Sequence, residues 1–357
     1  MKTDFIIVGQ GLAGTLIANE LLRKYKSIVV IDDPNQPKAS EVAAGIINPI
    51  VFRRMIKSWQ VDEAFPQMET TYLQLEDLLQ EQIYFSGKIL KILSDDTAES
   101  WKRNALANHL EAYLAVEPIE LFANKKINAP SGYGLVYKSG RLNLQKLLSS
   151  FSRFLDQKES IRKENFEFDS LHLNSELVYY KDITADKIIF CEGPAATRNP
   201  YFQKLKFKHS KGEILELRIP QLNLEEIVRG DVFLLPQGED RYKVGPTYTW
   251  DELNWETTDS ARDELLLKLK HILKANPEIL SQKAGIRPTM HDRKPVIGLL
   301  PGNPLIGIFN GLGSRGILLG PYFAKQFADY LSGTSGNLHP EVNISRYFKG
   351  NQHLINR

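Results

Sequence analysis

The chain has 357 residues, room for about two domains. Apolar residues make up 42%, charged residues 25%, and the net charge is +2, which describes an ordinary globular protein and gives no global case for binding nucleic acid or an anionic membrane. One cysteine, Cys191, excludes an intrachain disulfide and a multi-cysteine metal site.

The N-terminal segment is the most informative. Asp4-Phe5-Ile6-Ile7-Val8 is a short apolar run, followed by Gly9-Gln10-Gly11-Leu12-Ala13-Gly14 and a helical stretch to about Lys24. A second apolar run, Ser27 to Ile31, ends in Asp32-Asp33. Strand, glycine turn, helix, strand and acid make the dinucleotide-binding βαβ unit. Gly9 permits a sharp turn, Gly11 lets the backbone approach a pyrophosphate, and Gly14 lets the helix pack closely on the sheet. The helix start at Leu12 and Ala13 offers free N–H groups and a positive dipole end to phosphates. Asp32 or Asp33 can accept hydrogen bonds from a ribose. The alternative is an ordinary glycine turn. Phe5 to Ala18 is apolar enough to resemble a signal sequence, but Asp4 and Gln10 interrupt it and only Lys2 precedes it, so a cytoplasmic protein is expected. No stretch approaches 18 uninterrupted apolar residues, so no membrane span is expected.

Pro34 to Pro37 reads as a loop and Ser40 to Pro49 as a turn into a short helix. Met68, Tyr72, Leu75, Leu78 and Leu79 have helical spacing within a predicted helix over Phe65 to Gln82. Ile83 to Leu93 reads as a strand pair turning at Ser86-Gly87, and Asp96 to Leu114 as a helix broken near His109. Gly140 to Asn143 opens a helix over Leu144 to Leu155. Leu177 to Tyr180 and Ile188 to Cys191 read as strands about a turn, with Cys191 a buried, inert thiol. Lys204, Lys206 and Lys208 alternate with Leu205 and Phe207, as in a strand with one solvated face; a basic surface for a polyanion is the sharper alternative. Strands follow at Gly212 to Ile219, Val232 to Pro236 and Tyr242 to Val244, then an amphipathic helix at Asp259 to Leu273. Ile306 to Phe309 is a strand, and a final helix runs from about Pro321 to Leu331.

Helices and strands alternate at both ends, and strands dominate around residues 210 to 250. The predicted fold is α/β: a Rossmann-like nucleotide domain of discontinuous segments (residues 1–60, 137–203 and 282–357) plus a sheet-rich α+β substrate domain (residues 61–136 and 204–281).

Further segments carry a family likeness in chain order. Ser40-Glu41-Val42-Ala43-Ala44-Gly45 is similar to an S-x-x-A-A-G segment, and Ile188 to Gly193 stands where an apolar strand ends in Ala-Ala-Gly. Lys211-Gly212-Glu213-Ile214-Leu215 is like R-G-Q-hydrophobic, and Gly245-Pro246-Thr247 like G-A-T. Gly285-Ile286-Arg287-Pro288 with Asp292, Pro295 and Gly298 fits G-x-R-P…D-x-x-P-x-x-G, the most specific of the set. Asn310 to Leu319 matches a glycine-rich loop entering the closing helix. With these segments the chain resembles the FAD-dependent oxidoreductases of the D-amino-acid oxidase, glycine oxidase and sarcosine oxidase superfamily, from Asp4 to about Gly333. Glu192 in place of a small residue, Pro246 in place of alanine, and Asn48 where some relatives carry histidine depart from the pattern.

The resemblance implies non-covalent FAD, since Cys191 lies in a strand of the nucleotide domain. It implies a cofactor site of Gly9, Gly11, Leu12, Ala13, Gly14, Asp32, Asp33, Ser40, Ala44, Gly45, Gly193, Gly311, Gly313, Ser314, Arg315, Gly316 and Ile317. The loop from Gly311 to Gly316 would aim N–H groups at the flavin edge where charge develops on reduction. Arg287 would bind a substrate carboxylate through its planar fork; the alternative is a structural salt bridge to Asp292 or another acid. Tyr248 could orient substrate or merely pack, and Arg315 could face flavin, substrate or solvent. Asn48 and Arg53 could face the flavin or its entrance, and Trp59 and Trp250 read as core or interface aromatics. No metal site is expected: the seven histidines show no ligand spacing.

The function implied is an FAD-dependent oxidase or dehydrogenase moving a hydride from the carbon beside an amine of a small amino acid or N-substituted glycine to flavin N5. Molecular oxygen or a quinone would accept the electrons. A second reading keeps the flavin and changes the substrate to a tRNA wobble uridine bearing a carboxymethylaminomethyl group, since Gly311-Leu312-Gly313-Ser314-Arg315-Gly316 is similar to that subgroup's G-x-G-S-R-G. The small net charge and the lack of a companion methyltransferase region in these residues weigh against it. A non-catalytic flavin sensor and a nicotinamide dehydrogenase are the remaining alternatives.

Overall fold

The computed structural model describes residues 1–119 and 126–348. The expected domain ranges 61–136 and 282–357 run over residues 120–125 and 349–357, which lie outside the described residues.

The chain opens with β1 (Lys2–Val8), α1 (Leu12–Arg23) and β2 (Ile28–Ile31), the predicted βαβ unit. Successive residues of these strands point to opposite faces. Phe5, Ile7 and Val30 pack into one apolar cluster and Ile6, Val8, Val29 and Ile31 into another. Burial on both faces explains why the strands read as unbroken apolar runs rather than alternating ones. α2 (Ala39–Val42) and β3 (Ile46–Ile47) follow, so the small-residue segment holds a helix first and a strand after it. The strands β4 (Ile50–Val51) and β5 (Ile56–Lys57) make a small separate hairpin.

Helix α3 (Val61–Leu79) leads to β6 (Tyr84–Ile92), a single strand rather than the expected pair. Its partner is β7 (Tyr133–Leu142), far along the chain. Ser86 and Gly87 pair with Gly140 and Ser139, and the ladder is irregular between Gly87 and Ile89. Helix α4 (Asp95–Ala107) begins at a Ser94–Thr97 capping box and ends before His109, whose φ of 51° cannot continue a helix. Helix α5 (Leu144–Gln157) is capped by the Asn143 side chain, which accepts from the Lys146 N–H at 3.1 Å.

Next come β8 (Ile161–Arg162), β9 (Leu171–Leu173), β10 (Val178–Tyr180) and β11 (Ile183–Phe190). β11 starts five residues before the expected Ile188 because the turn sits at Lys181-Asp182, with Lys181 at φ 49°. Residues 204–208 do not form a strand; the first strand of this region, β12 (Ser210–Arg218), starts later. The alternation is still one of burial, with Leu205 inside and Lys204, Lys206 and Lys208 in solvent. The strands β13 (Ile227–Arg229), β14 (Phe233–Gly238) and β15 (Arg241–Gly245), helix α6 (Asp259–Ile272), and strands β16 (Glu278–Arg287), β17 (Val296–Leu300) and β18 (Asn303–Asn310) complete the sheets.

The last helix, α7 (Gly316–Leu331), starts five residues before the expected Pro321. Proline inside a helix leaves the carbonyl four residues back without its N–H donor. Here that carbonyl, on Ile317, accepts a hydrogen bond from the Tyr72 hydroxyl of α3 at 2.8 Å.

The first sheet runs β17-β18-β11-β1-β2-β8, with β10 and β9 added beside β11. Its central pairs, β18 with β11, β11 with β1, β1 with β2 and β2 with β8, are parallel. α1, α3, α5 and α7 supply Leu16, Tyr72, Phe151 and Phe327 to the cluster on one face. The second sheet runs β16-β12-β15-β14-β13-β6-β7-β3 and is antiparallel except between β13 and β6. Leu265 and Leu269 of α6 pack against its Leu215, Leu234 and Val244. Residues 137–142 and 282–287 ladder within this second sheet, as parts of β7 and β16. The mixed α/β architecture matches the predicted class. β1 lies between β2 and β11, so the chain leaves it in both directions and opens a crevice at the carboxyl ends of the strands, where α/β sheets bind ligands.

Candidate active site

A cavity of about 1610 Å³ occupies this crevice and extends to the second sheet. It exceeds the usual 300–1,000 Å³ or so of a pocket for one small molecule. Gly9, Gly11, Leu12, Ala13, Asp32, Asp33, Ser40, Ala44, Gly45, Gly193, Gly313, Ser314, Arg315, Gly316 and Ile317 line it, as do Tyr248 and Arg287. Asn48 and Arg53 line it too. Gly14 and Gly311 are not on its wall. A Cβ on Gly14 would lie 1.8 Å from the Gly9 carbonyl oxygen, and one on Gly311 would lie 2.6 Å from Met290 Cγ. Both glycines serve close packing behind the wall. A smaller cleft of about 490 Å³, with Glu41, Glu216, Lys243 and Lys283 around it, holds none of the expected site residues.

The nucleotide end is built by α1. Gly11 caps this helix without a side-chain hydrogen bond, and no acid lies in its first turn. The Leu12 N–H donates to Ser40 Oγ at 3.1 Å. Asp32 accepts from the Gln10 N–H at 2.8 Å and from Lys38 Nζ at 3.1 Å. Asp33 instead accepts from the Asn35 N–H at 2.9 Å, which holds its carboxyl below the usual range. A helix start with no acid in its first turn, open glycine backbone and an acid at the next strand end fit the pyrophosphate and ribose of a dinucleotide.

The other end gathers cations. Arg287 closes β16, and its guanidinium donates to the carbonyls of Lys211 at 3.2 Å and Thr247 at 3.4 Å. It lies 4.4 Å from the centroid of the Tyr248 ring, within cation–π reach. The opposing strand makes room: a Cβ on Gly212 would fall 1.9 Å from Arg287 Nη2. Asp292, the alternative partner, pairs with Arg346 at 3.1 Å. Tyr248 is 50% exposed, so it is not a core packing residue. Arg315 caps α7 at the cavity wall. Burial lowers the pKa of Arg287; burial and the positive charges of Arg54 and Arg293 lower that of Arg315.

Several wall residues carried no motif in the sequence. Arg229 ends β13 and faces the cavity, its pKa lowered by burial. His209 is buried on the wall, and burial lowers its pKa as well. Glu192, visible only as a departure from the family pattern, is on the wall with its carboxyl pushed up to about 7 by burial. It accepts from Asn199 Nδ2 at 2.8 Å. Cys191 is a buried free thiol, raised by burial. Trp59 packs on Phe323 at 5.4 Å, whereas Trp250 is 54% exposed and stacks on Tyr248 rather than joining the core. Among the described residues no cluster of three metal-ligating side chains occurs, and no helix is long and apolar enough to cross a membrane.

An α/β sheet whose glycine turn and helix start open onto a pocket walled by a second sheet is the arrangement of a nucleotide-binding enzyme. The chain belongs to the DAO family of FAD dependent oxidoreductases, matched over residues 4–330. It is 22% identical over 361 residues to the glycine oxidase of Pseudomonas aeruginosa, covering 95% of this chain and 98% of that protein. It is 22% identical over 353 residues to the tRNA 5-methylaminomethyl-2-thiouridine biosynthesis bifunctional protein of Marinobacter nauticus. That match covers 91% of this chain but 54% of the relative, so the chain spans about half the length of that bifunctional protein. Among solved structures, the iminodiacetate oxidase of Chelativorans sp. BNC1 shares the fold, with a TM-score of 0.79, 20% identity, and coverage of 95% of this chain and 98% of that one.

Proposed function

We propose that this protein oxidises the carbon–nitrogen bond of a small amino acid or N-substituted glycine. The observation that carries the reading is Arg287. Its guanidinium has no carboxylate within ion-pair distance among the described residues, and it faces the same cavity onto which the dinucleotide cradle opens. A half-buried cation held by two carbonyls and an aromatic face is prepared for an incoming carboxylate.

FAD, when bound, supplies the hydride acceptor. The helix end at Leu12 and Ala13, with Asp32 and Ser40, would hold its adenosine diphosphate half, and the loop from Gly313 to Ile317 would lie against its flavin. The chain's own work is then binding and orientation. Arg287 anchors the substrate carboxylate and Tyr248 borders it. Arg315 adds positive charge to the same pocket. Arg287→Ala should raise the Michaelis constant for carboxylated amines by about tenfold or more, the loss of a charged hydrogen-bonded pair. An unchanged constant on an oxidised substrate would refute the assignment. Oxygen or a quinone is the proposed acceptor, distinguished by following peroxide release against quinone reduction.

One observation favours a second reading, a modified tRNA base as the amine-bearing substrate. Tyr248 and Trp250 are both half exposed and stack at 6.2 Å beside Arg287, an aromatic face on which a nucleobase can stack. Salt-dependent tRNA binding that Trp250→Ala abolishes would support it; no binding at low salt would remove it.

A further inference from the structure

We propose that the pocket reads a second acid group on its substrate, and that Arg229 is the residue that reads it. The favoured substrate is then a glycine whose amine substituent or side chain ends in another carboxylate. This rests on the reading of Arg287 as the anchor of the first carboxylate.

The observation is an excess of unpaired guanidinium charge at one end of the cavity. Arg229, Arg287 and Arg315 come from β13, β16 and the start of α7, distant in sequence, and all three line the same cavity. Arg229 is in register with Phe233, which pairs with Gly245 three residues before Tyr248; Arg287 bonds the Thr247 carbonyl and lies over the Tyr248 ring; and the Thr289–Leu312 bridge brings the start of α7 beside the end of β16, so the three converge on one end of the cavity. Among the described residues none of them has a carboxylate within ion-pair distance. Among the described residues, Arg229 and Arg315 also lack hydrogen-bond partners for their guanidinium groups. Asp231, two residues beyond Arg229, is engaged with His271 Nδ1 at 3.0 Å. Glu256 also lines the cavity, yet no ion pair joins it to any arginine.

A half-buried cation without a partner has lost part of its hydration, and a ligand anion is the natural remedy. One substrate carboxylate satisfies Arg287. The pyrophosphate belongs at the far end, on α1. Arg229, on β13 rather than β16, is then still unpaired. A monocarboxylate leaves it so; a dicarboxylate does not. The planar fork of arginine favours a carboxylate over a neutral polar group.

The test compares the holoenzyme on N-methylglycine and iminodiacetate, which share the reacting amine and differ by the second acid. Wild-type kcat/KM should favour iminodiacetate by about tenfold or more, the span of a charge-assisted pair. Arg229→Gln should erase that preference, lowering kcat/KM for iminodiacetate by about tenfold more than for N-methylglycine. Arg229→Lys, which keeps the charge without the fork, should fall between. Equal wild-type rates on the two amines, or a Gln variant that lowers both alike, would overturn the proposal. The wild-type comparison decides even if the Gln variant loses its cofactor. A second arm separates this proposal from the broader reading: titration with malonate and with acetate, followed by the shift of the oxidised-flavin band. Tighter malonate binding that needs Arg229, with no amine oxidised, would keep the second anion site and sink amine oxidation. Oxidation of N-methylglycine without any dicarboxylate preference would do the reverse.

Discussion

Gly212→Ala isolates the placement of Arg287 from its identity. The backbone at Gly212 is one that any residue adopts, so the new methyl costs no conformational strain. It would stand 1.9 Å from Arg287 Nη2 and 2.4 Å from both Cζ and Nη1. Ordinary contact begins near 3.4 Å, so the guanidinium must retreat by about 1.5 Å. A flexible side-chain end can do this cheaply, and stability should fall by less than about 1 kcal/mol. The retreat breaks the bonds to the Lys211 and Thr247 carbonyls and the stacking on Tyr248. Misplacing a binding group by an ångström costs up to about a hundredfold in rate. The expected outcome is a fall of about 10- to 100-fold in kcat/KM for carboxylated amines, with FAD content and the denaturation midpoint near wild type. Steady-state dye reduction, with flavin absorbance as the occupancy control, measures it. Unchanged kcat/KM would refute the claim that this glycine exists to seat Arg287.

Glu192 should make stability depend on pH. Its carboxyl is raised from 4.5 to about 7 in the folded protein, so the native state holds the proton more tightly than the unfolded chain. That contribution is fully present below about pH 4.5 and is lost as pH rises through about 7, on the order of 2–3 kcal/mol after allowing for partial exposure. Glu192→Gln should remove the loss, and urea denaturation of both proteins between pH 5 and 8 should show the wild type weakening relative to the variant; parallel curves would count against it. Tyr72→Phe should cost about 1–3 kcal/mol in the same assay, because the Ile317 carbonyl facing Pro321 loses its donor. A neutral substitution there would mean the carbonyl finds another partner. Asp32→Ala should release both Gln10 and Lys38 and weaken FAD retention during dialysis, with full retention as the contrary result.

The parts legible in the sequence are those whose signal is local. The βαβ unit reads out because glycines, helix and acid fall within 33 residues or so. Arg287 reads out through a motif whose glycine, Gly285, pairs with Gly212 on the adjoining strand. What was hidden depends on distant neighbours. The pairing of β6 with β7 replaces a plausible local hairpin because Gly87 meets a partner some fifty residues on. The start of α7 was hidden because proline favours a first turn, and the carbonyl that Pro321 leaves open finds its donor in Tyr72 of another helix. Arg229 had no signal at all: a single arginine after Ile227-Val228 means little until β13 pairs it with Phe233 at the cavity.

The central claim, that the cavity binds a carboxylated amine for oxidation, is tested most directly by anaerobic titration of the FAD-loaded protein. Glycine, N-methylglycine, proline and several D-amino acids would be added while the oxidised-flavin absorbance is followed. The account predicts bleaching by at least one of them, at a concentration that Arg287→Ala raises by about tenfold or more. A flavin that stays oxidised in the presence of every carboxylated amine would contradict it.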